Sequence, residues 1–445
     1  MEIHKFFLFS LCTSIIFCGI SVSASQFFLF LSFLFILFDR KNLKVKINPI
    51  LITVIFLFFT YFLSAVYHLW IDSSYIKKIP SSELKDIFLF LGFFVFYGLK
   101  NEDIPKIEKA FRVLIYVLVI TGLISAFSPI RLSRLFNDLF RVSTAWKFTH
   151  HYGDVMGIGI HLPIGLMNTH LTFGGLLMLF FPGIFYKFIL SIKSKQKDNL
   201  NLLMLILLVF IFFLNNARSA MGGAAIALAF GFLDIVFVKK IFEFKTVIKL
   251  LLVPLVSLVL LTGILFSNET TKQFIAPLLG EEKHTDSGRT FIWNSTFPMI
   301  KENPFLGIGP GNYLKEVDTV RKNLATKEEE LSYFYEVTQR GHSHNDYLHL
   351  ATIAGTFSVL AYLVLAGLIS TSILDKKLEI DYSVRFYGLV GFFFAGLYQC
   401  YFQDDEVVVV FWMLLGFLVR LKRRWFTDDA NMINISKWKE FIGYF

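Results

Sequence analysis

The sequence predicts an all-α polytopic membrane protein with about twelve transmembrane helices and one long loop between the ninth and tenth. Three observations predict it. The chain of 445 residues is 55% hydrophobic with 54 phenylalanines, and its mean hydropathy is +0.61. Charged residues make up 17%, against about 25% in soluble domains, so a bilayer must supply part of the apolar environment. Apolar runs long enough to span recur from end to end, and each must be helical because backbone amides in lipid are satisfied only within the segment. Finally, short loops dense in Lys and Arg alternate with a second set of loops, as cytoplasmic and external segments do.

The predicted spans start near Phe6, Phe27, Ile50, Ile87, Ala110, Leu171, Leu202, Ala220, Leu250, Tyr347, Val384 and Val407. The first 25 residues, Lys5 followed by an apolar stretch and SVSAS, have the form of a signal peptide. They are read as an ordinary first span because another follows at once. Cys12, Cys18 and Cys400 all lie in apolar runs, which leaves no disulfide framework or cysteine metal site. The basic loops are DRKNLKVK, KNEDIPKIEK, SIKSKQKDN, VKKIFEFK, DKKLEID and RLKRRW. They put both termini in the cytoplasm and the loop of residues 267–346 outside. The net charge of +9 is thus explained by topology, and no nucleic-acid partner is expected. Residues 1–445 read as a single integral membrane domain.

The 267–346 loop carries aromatic and turn signals. Phe291, Ile292, Phe297 and Ile300 have helical spacing, and Gly288 to Ile300 reads as a helix at the membrane surface. NPFLGIGPGN, from Asn303, reads as a rigid turn series; with no preceding strand and no following Lys-Ser/Thr it is not a phosphate loop.

Chemistry concentrates at RGHSHNDYLHL, from Arg340. His342 and His344 form a His-x-His pair that suits zinc with His349 or Asp346, or a general base, while Asn345 or Asp346 suits a helix cap. Helical spacing places His344 and Leu348 on one face. Arg218, in FLNNARSAMGG, is wedged between two apolar runs with almost no loop around it. An arginine there marks a functional site or an anion partner, with snorkelling as the alternative. Arg289, in DSGRTFIW, begins the amphipathic stretch. A third region, HHYGDVMGIGIHLPIGLMNTHLTFGG, follows Arg131, Arg134, Arg141 and Lys147. This basic loop suits phosphate-bearing lipids or is a solvated basic face, and His161 and His170 read equally as interfacial histidines. Asp404-Asp405-Glu406 reads as a solvated turn, or as carboxylates for Mg²⁺ together with Asp72, Glu83 or Asp286.

In order and spacing these residues resemble the O-antigen ligase / O-antigen polymerase family of membrane glycosyltransferases. NARSA, around Arg218, is similar to the family's turn between the seventh and eighth spans. Ser287-Gly288-Arg289 with Trp293 looks like its SGR-x-x-x-W element. His344-Asn345, then nine residues, then Gly355 follows its histidine motif, with Ser358 where the family has Gly, Thr or Tyr. NPFLGIGPGN and NTHLTFGG also look like family stretches. The resemblance covers most of the chain and implies a GT-C-like fold with a periplasmic loop at 267–346. It implies a multi-pass protein of the bacterial inner membrane with its active site on the periplasmic side. The donor would be a glycan on undecaprenyl diphosphate and the acceptor lipid A–core, among membrane lipids, with no cofactor and no metal. His344, Arg218 and Arg289 would be catalytic, with Asn345, His170, His342, Arg131, Arg134 and Arg141 at the substrate. The alternatives are polymerisation of O-units on the same carrier, transfer to protein, and, from a different class, a lipid or glycan transporter.

Overall fold

A computed structural model describes residues 2–39, 43–137, 148–155, 157–195, 198–246, 283–327, 331–338, 341–423 and 432–434. The predicted ninth span from Leu250, the first part of the 267–346 loop and Arg141 lie outside the described residues.

The described residues are mostly helical. The principal helices are α1 (Glu2–Phe17), α2 (Val22–Phe38), α3 (Pro49–Ile71), α4 (Ile104–Ala126), α5 (His170–Lys193), α6 (Asn199–Asn215) and α7 (Arg218–Leu233). After the segment outside the description come α8 (Lys283–Glu302), α9 (Tyr313–Lys327), α10 (Asp346–Ala354), α11 (Thr356–Ile373), α12 (Tyr387–Ala395) and α13 (Asp405–Arg423). The predicted span from Ile87 is a 3-10 and α mixture over Glu83–Phe90, Leu91–Phe94 and Val95–Gly98. Helices containing Pro49–Ile71, His170–Lys193, Arg218–Val238 and Thr356–Ile373 are long and apolar enough to cross a membrane. A short hairpin, β1 (His151–Val155) and β2 (Ile158–His161), pairs His151 with His161.

Two sequence properties explain the packing. Val407 to Leu418 is apolar on every face, and every residue of that stretch is buried, so α13 runs through the centre of the bundle. Peripheral helices instead leave large apolar side chains outside, such as Phe56, Phe59 and Phe62 on α3 and Ile206, Val209 and Phe213 on α6. Those stripes are the surface a bilayer would cover. Helices α5, α7 and α12 pack against one another, and small residues let them approach. A Cβ at Gly388 would stand 2.1 Å from the Leu179 carbonyl oxygen, the close helix contact that membrane proteins build with glycine.

The loop helices are ordered by their neighbours. The helix predicted at Gly288–Ile300 lies within α8, which packs on α9 and α10. NPFLGIGPGN is a turn series, with Gly307, Gly309 and Gly311 all at positive φ. It clasps the far end of α10: Ile308 N donates to Thr352 O at 2.7 Å and Thr356 N to Pro304 O at 2.9 Å. His68, on α3, holds the Gly307 carbonyl at 3.0 Å. Gly355 separates α10 from α11 at φ 81°, where any Cβ would strike the Phe305 carbonyl at 1.9 Å.

Candidate active site

His344 precedes α10 rather than lying on it. Asn345 is the N-cap, its Oδ1 accepting from Leu348 N at 3.0 Å, and His344 stands outside the helix at φ 51°. The expected shared face with Leu348 is therefore not formed, because asparagine caps and the chain must leave the helical path before it. Left-handed backbone at a residue other than glycine costs of order 1 kcal/mol or more, and such strain clusters at functional sites. The surrounding bonds hold it in place. Asn345 Nδ2 donates to Leu397 O at 2.9 Å, Asp346 N to Gly396 O at 2.7 Å, and Trp293 Nε1 to Ser343 O at 3.1 Å.

The 396–404 segment, leading from α12 into α13, is the wall facing the histidine. Gln399 is buried, and its Oε1 lies 2.7 Å from His344 Nδ1. A carbonyl oxygen accepts, so Nδ1 carries the proton and Nε2 keeps a lone pair. Among the described residues Nε2 has no hydrogen-bond partner. Burial holds the His344 pKa below that of an ordinary imidazole; the Gln399 bond acts the other way, and Arg289 and Arg321 push it down further. His342 is held lower still, by burial first and then by His344, His349 and Arg321. Its ring meets His344 edge to face at 4.6 Å, and its Nδ1 accepts from His344 N at 3.3 Å. Both imidazoles are thus neutral at pH 7.

The same segment reaches the starts of α7 and α5. Asn215 ends α6, Asn216 turns at φ 52°, and Arg218 opens α7 with no side-chain cap before it. Arg218 is exposed, while the adjacent Ser219 Oγ meets Tyr401 Oη at 3.1 Å. Tyr401 lies within electrostatic reach of Arg289. Thr172, in the first turn of α5, donates to Asp404 Oδ2 at 2.7 Å. Asp404 is therefore a strut and not the solvated turn expected, and burial together with Glu406 pushes its carboxyl up. Asn215 Nδ2 donates to His170 O at 3.0 Å and Pro163 O at 2.8 Å, tying α6 to the start of α5. Arg131 donates to Asn168 O at 3.0 Å and Phe148 O at 3.3 Å, so part of its guanidinium shapes the loop.

The structure thus gathers His344, Arg289, the start of α7 and the start of α5 around one segment. The carboxylate of the motif faces inward. Asp346 accepts from Phe402 N at 3.0 Å and Tyr362 Oη at 3.2 Å, and His349 Nε2 lies 3.5 Å from Glu83. Sequence reasoning missed three residues. Gln399 and Tyr401 sit in an apolar stretch whose polar members gave the only signal. Arg321 looks like a surface arginine on α9 yet is fully buried, donating to Ser295 Oγ at 3.0 Å and stacking over Phe291 at 5.8 Å. Its spacing of four from the buried Val317 was the clue.

No curated protein matches the chain. Residues 203–376 match the family model described as O-antigen ligase, a region that contains Arg218, Arg289 and His344 but ends before Gln399. Over that region the chain is similar to the O-antigen ligase family.

Proposed function

We propose that the protein is a glycosyltransferase of the bacterial inner membrane, acting on the periplasmic side. It moves a glycan from undecaprenyl diphosphate to a sugar hydroxyl of lipid A–core. The acceptor hydroxyl gives its proton to His344 Nε2 as its oxygen bonds to the anomeric carbon. The bond to the diphosphate breaks, and the electron pair leaves with the lipid. Attack from the face opposite the diphosphate inverts the centre. A diphosphate needs charge neutralisation more than an acid, which guanidinium forks provide as fixed bidentate donors. Arg218 and Arg289 take that role, and the uncapped start of α7 adds amide donors suited to an anion. Arg131, Arg134 and His170 line the donor approach. Asn345 and His342 position His344. No step of this scheme uses a metal or a cofactor.

The observation that carries the reading is the imidazole of His344, with Nδ1 committed to Gln399, Nε2 open, and a pKa held down by burial and Arg289. The test is a strain whose only copy is His344→Ala. Core-only lipopolysaccharide with long glycan accumulating on the lipid carrier is the expected phenotype. Core plus a single repeat unit would instead establish the polymerase, and unchanged lipopolysaccharide would remove His344 from the reaction.

A further inference from the structure

A second polar cluster lies at the other end of the bundle, in a cavity of about 90 Å³ between α4, α5, α6, α13 and Arg385, just ahead of α12. Its position follows from α5. That helix meets Asp404 at Thr172, and Lys187, on the cavity wall, is about 22 Å further along at 1.5 Å per residue. The cavity therefore takes no part in the chemistry at His344.

Its lining has two characters. Phe111, Ile115, Phe180 and Met204 make an apolar wall, while Arg112, Lys187 and Arg385 bring cations. Arg385 pairs with Glu108 through Nη1, yet its Nε is buried with no partner among the described residues. Lys187 donates no hydrogen bond among the described residues, although Arg385, Arg112, Glu108 and Asp381 are within electrostatic reach. A shallower depression of about 460 Å³ shares Glu108, Arg112 and Tyr116 and adds Lys109. Cations outnumber carboxylates in this cleft. A buried guanidinium nitrogen left unsatisfied is costly, and so is an amine without an acceptor in a largely apolar wall. Both costs vanish if an anion with several acceptor oxygens enters. The space admits a group of a few heavy atoms, the size of a phosphate rather than of a glycan.

We propose that this cavity binds the phosphate of an anionic amphiphile, with Lys187, Arg112 and Arg385 Nε on the headgroup and the acyl chain along the Phe111–Phe180 wall. Basic pockets between helices at a bilayer surface take lipid phosphates in this way. Free phosphate offers the same oxygens without the chain.

The test uses the full-length protein in detergent, titrated with dioleoyl phosphatidylglycerol, dioleoyl phosphatidylcholine or inorganic phosphate, with binding read by native mass spectrometry and melting temperature. Phosphatidylglycerol binds in preference to phosphatidylcholine. Arg112→Gln and Lys187→Gln each weaken that binding about fivefold, and together about twenty-five-fold. Lys315→Gln, on α9, leaves it unchanged and controls for overall charge. Stabilisation by inorganic phosphate alone, lost in the same variants, keeps the site and assigns it to the free anion. Equal binding of the two lipids, or undiminished binding by the folded double variant, overturns the proposal. Because the readout is binding, failure here leaves the reading of His344 untouched.

Discussion

His344 and His349 lie on either side of one helix start, and their surroundings could hardly differ more. His349 is buried, its Nε2 faces the Glu83 carboxylate at 3.5 Å, and its ring packs on Tyr313 at 4.8 Å. His344 sits outside the helix, bonded to a neutral amide at one nitrogen and open at the other. The carboxylate ties His349 into the surrounding structure, whereas at His344 burial and nearby guanidiniums favour the neutral base. The first histidine joins α10 to the 3-10 segment beginning at Glu83. The second presents an open ring nitrogen. Identity of residue type within one motif therefore says little about role; the partner decides it.

Substitutions sharpen the contrast, and the largest effect falls on the open imidazole. His344→Ala lowers glycan transfer about 10²–10⁴-fold in a purified assay with lipid-linked donor and lipid A–core, the usual worth of a general base, while the protein still folds and inserts. Arg218→Ala abolishes most transfer, and Arg218→Lys restores it poorly, since a point charge does not replace the planar fork. Gln399→Leu releases Nδ1 and costs about tenfold or more, as loss of an outer partner to a functional imidazole does; the folded state is checked by its melting curve. Arg289→Leu changes the pH profile as well as the rate. Arg289 holds the His344 pKa down, so its removal raises that pKa toward the ordinary imidazole value. The base must be neutral to act, so the acid limb of the rate profile moves to higher pH; an unmoved limb would separate Arg289 from the histidine. The smallest effect on chemistry is at His349. His349→Gln leaves the pH profile of transfer unchanged and instead lowers stability by about 1 kcal/mol, because the half-buried Glu83 loses one of its partners while keeping Gly311 N.

Much of this was readable in the sequence. Apolar periodicity and length located most of the helices near the predicted starts outside residues 247–282, but the run from Ile87 is largely 3-10 and the span from Tyr347 is broken at Gly355; the cost of arginine at a span margin singled out Arg218. The cap at Asn345 was readable from residue type, but the displacement of His344 off the helix was not, because it depends on bonds to Gly396 and Leu397 some fifty residues away. Gln399, Tyr401 and Arg321 escaped for the same reason. Their roles come from tertiary neighbours, and in sequence they look like a span margin and a solvated helix. Asp404 shows the converse: an acidic triplet reads as a turn until Thr172 reaches it.

The break at Gly355 has a mechanical consequence. The helix that fixes the histidine is anchored by the Pro304–Ile308 turn, while α11 faces outward through Leu360, Leu363 and Val364. A bilayer that thickens or thins is accommodated by changing the tilt of such a lipid-facing rod. Because the rod is broken at Gly355, α10 and α11 need not share one axis, so the direction of the lipid-facing helix is set separately from that of the helix capped by Asn345.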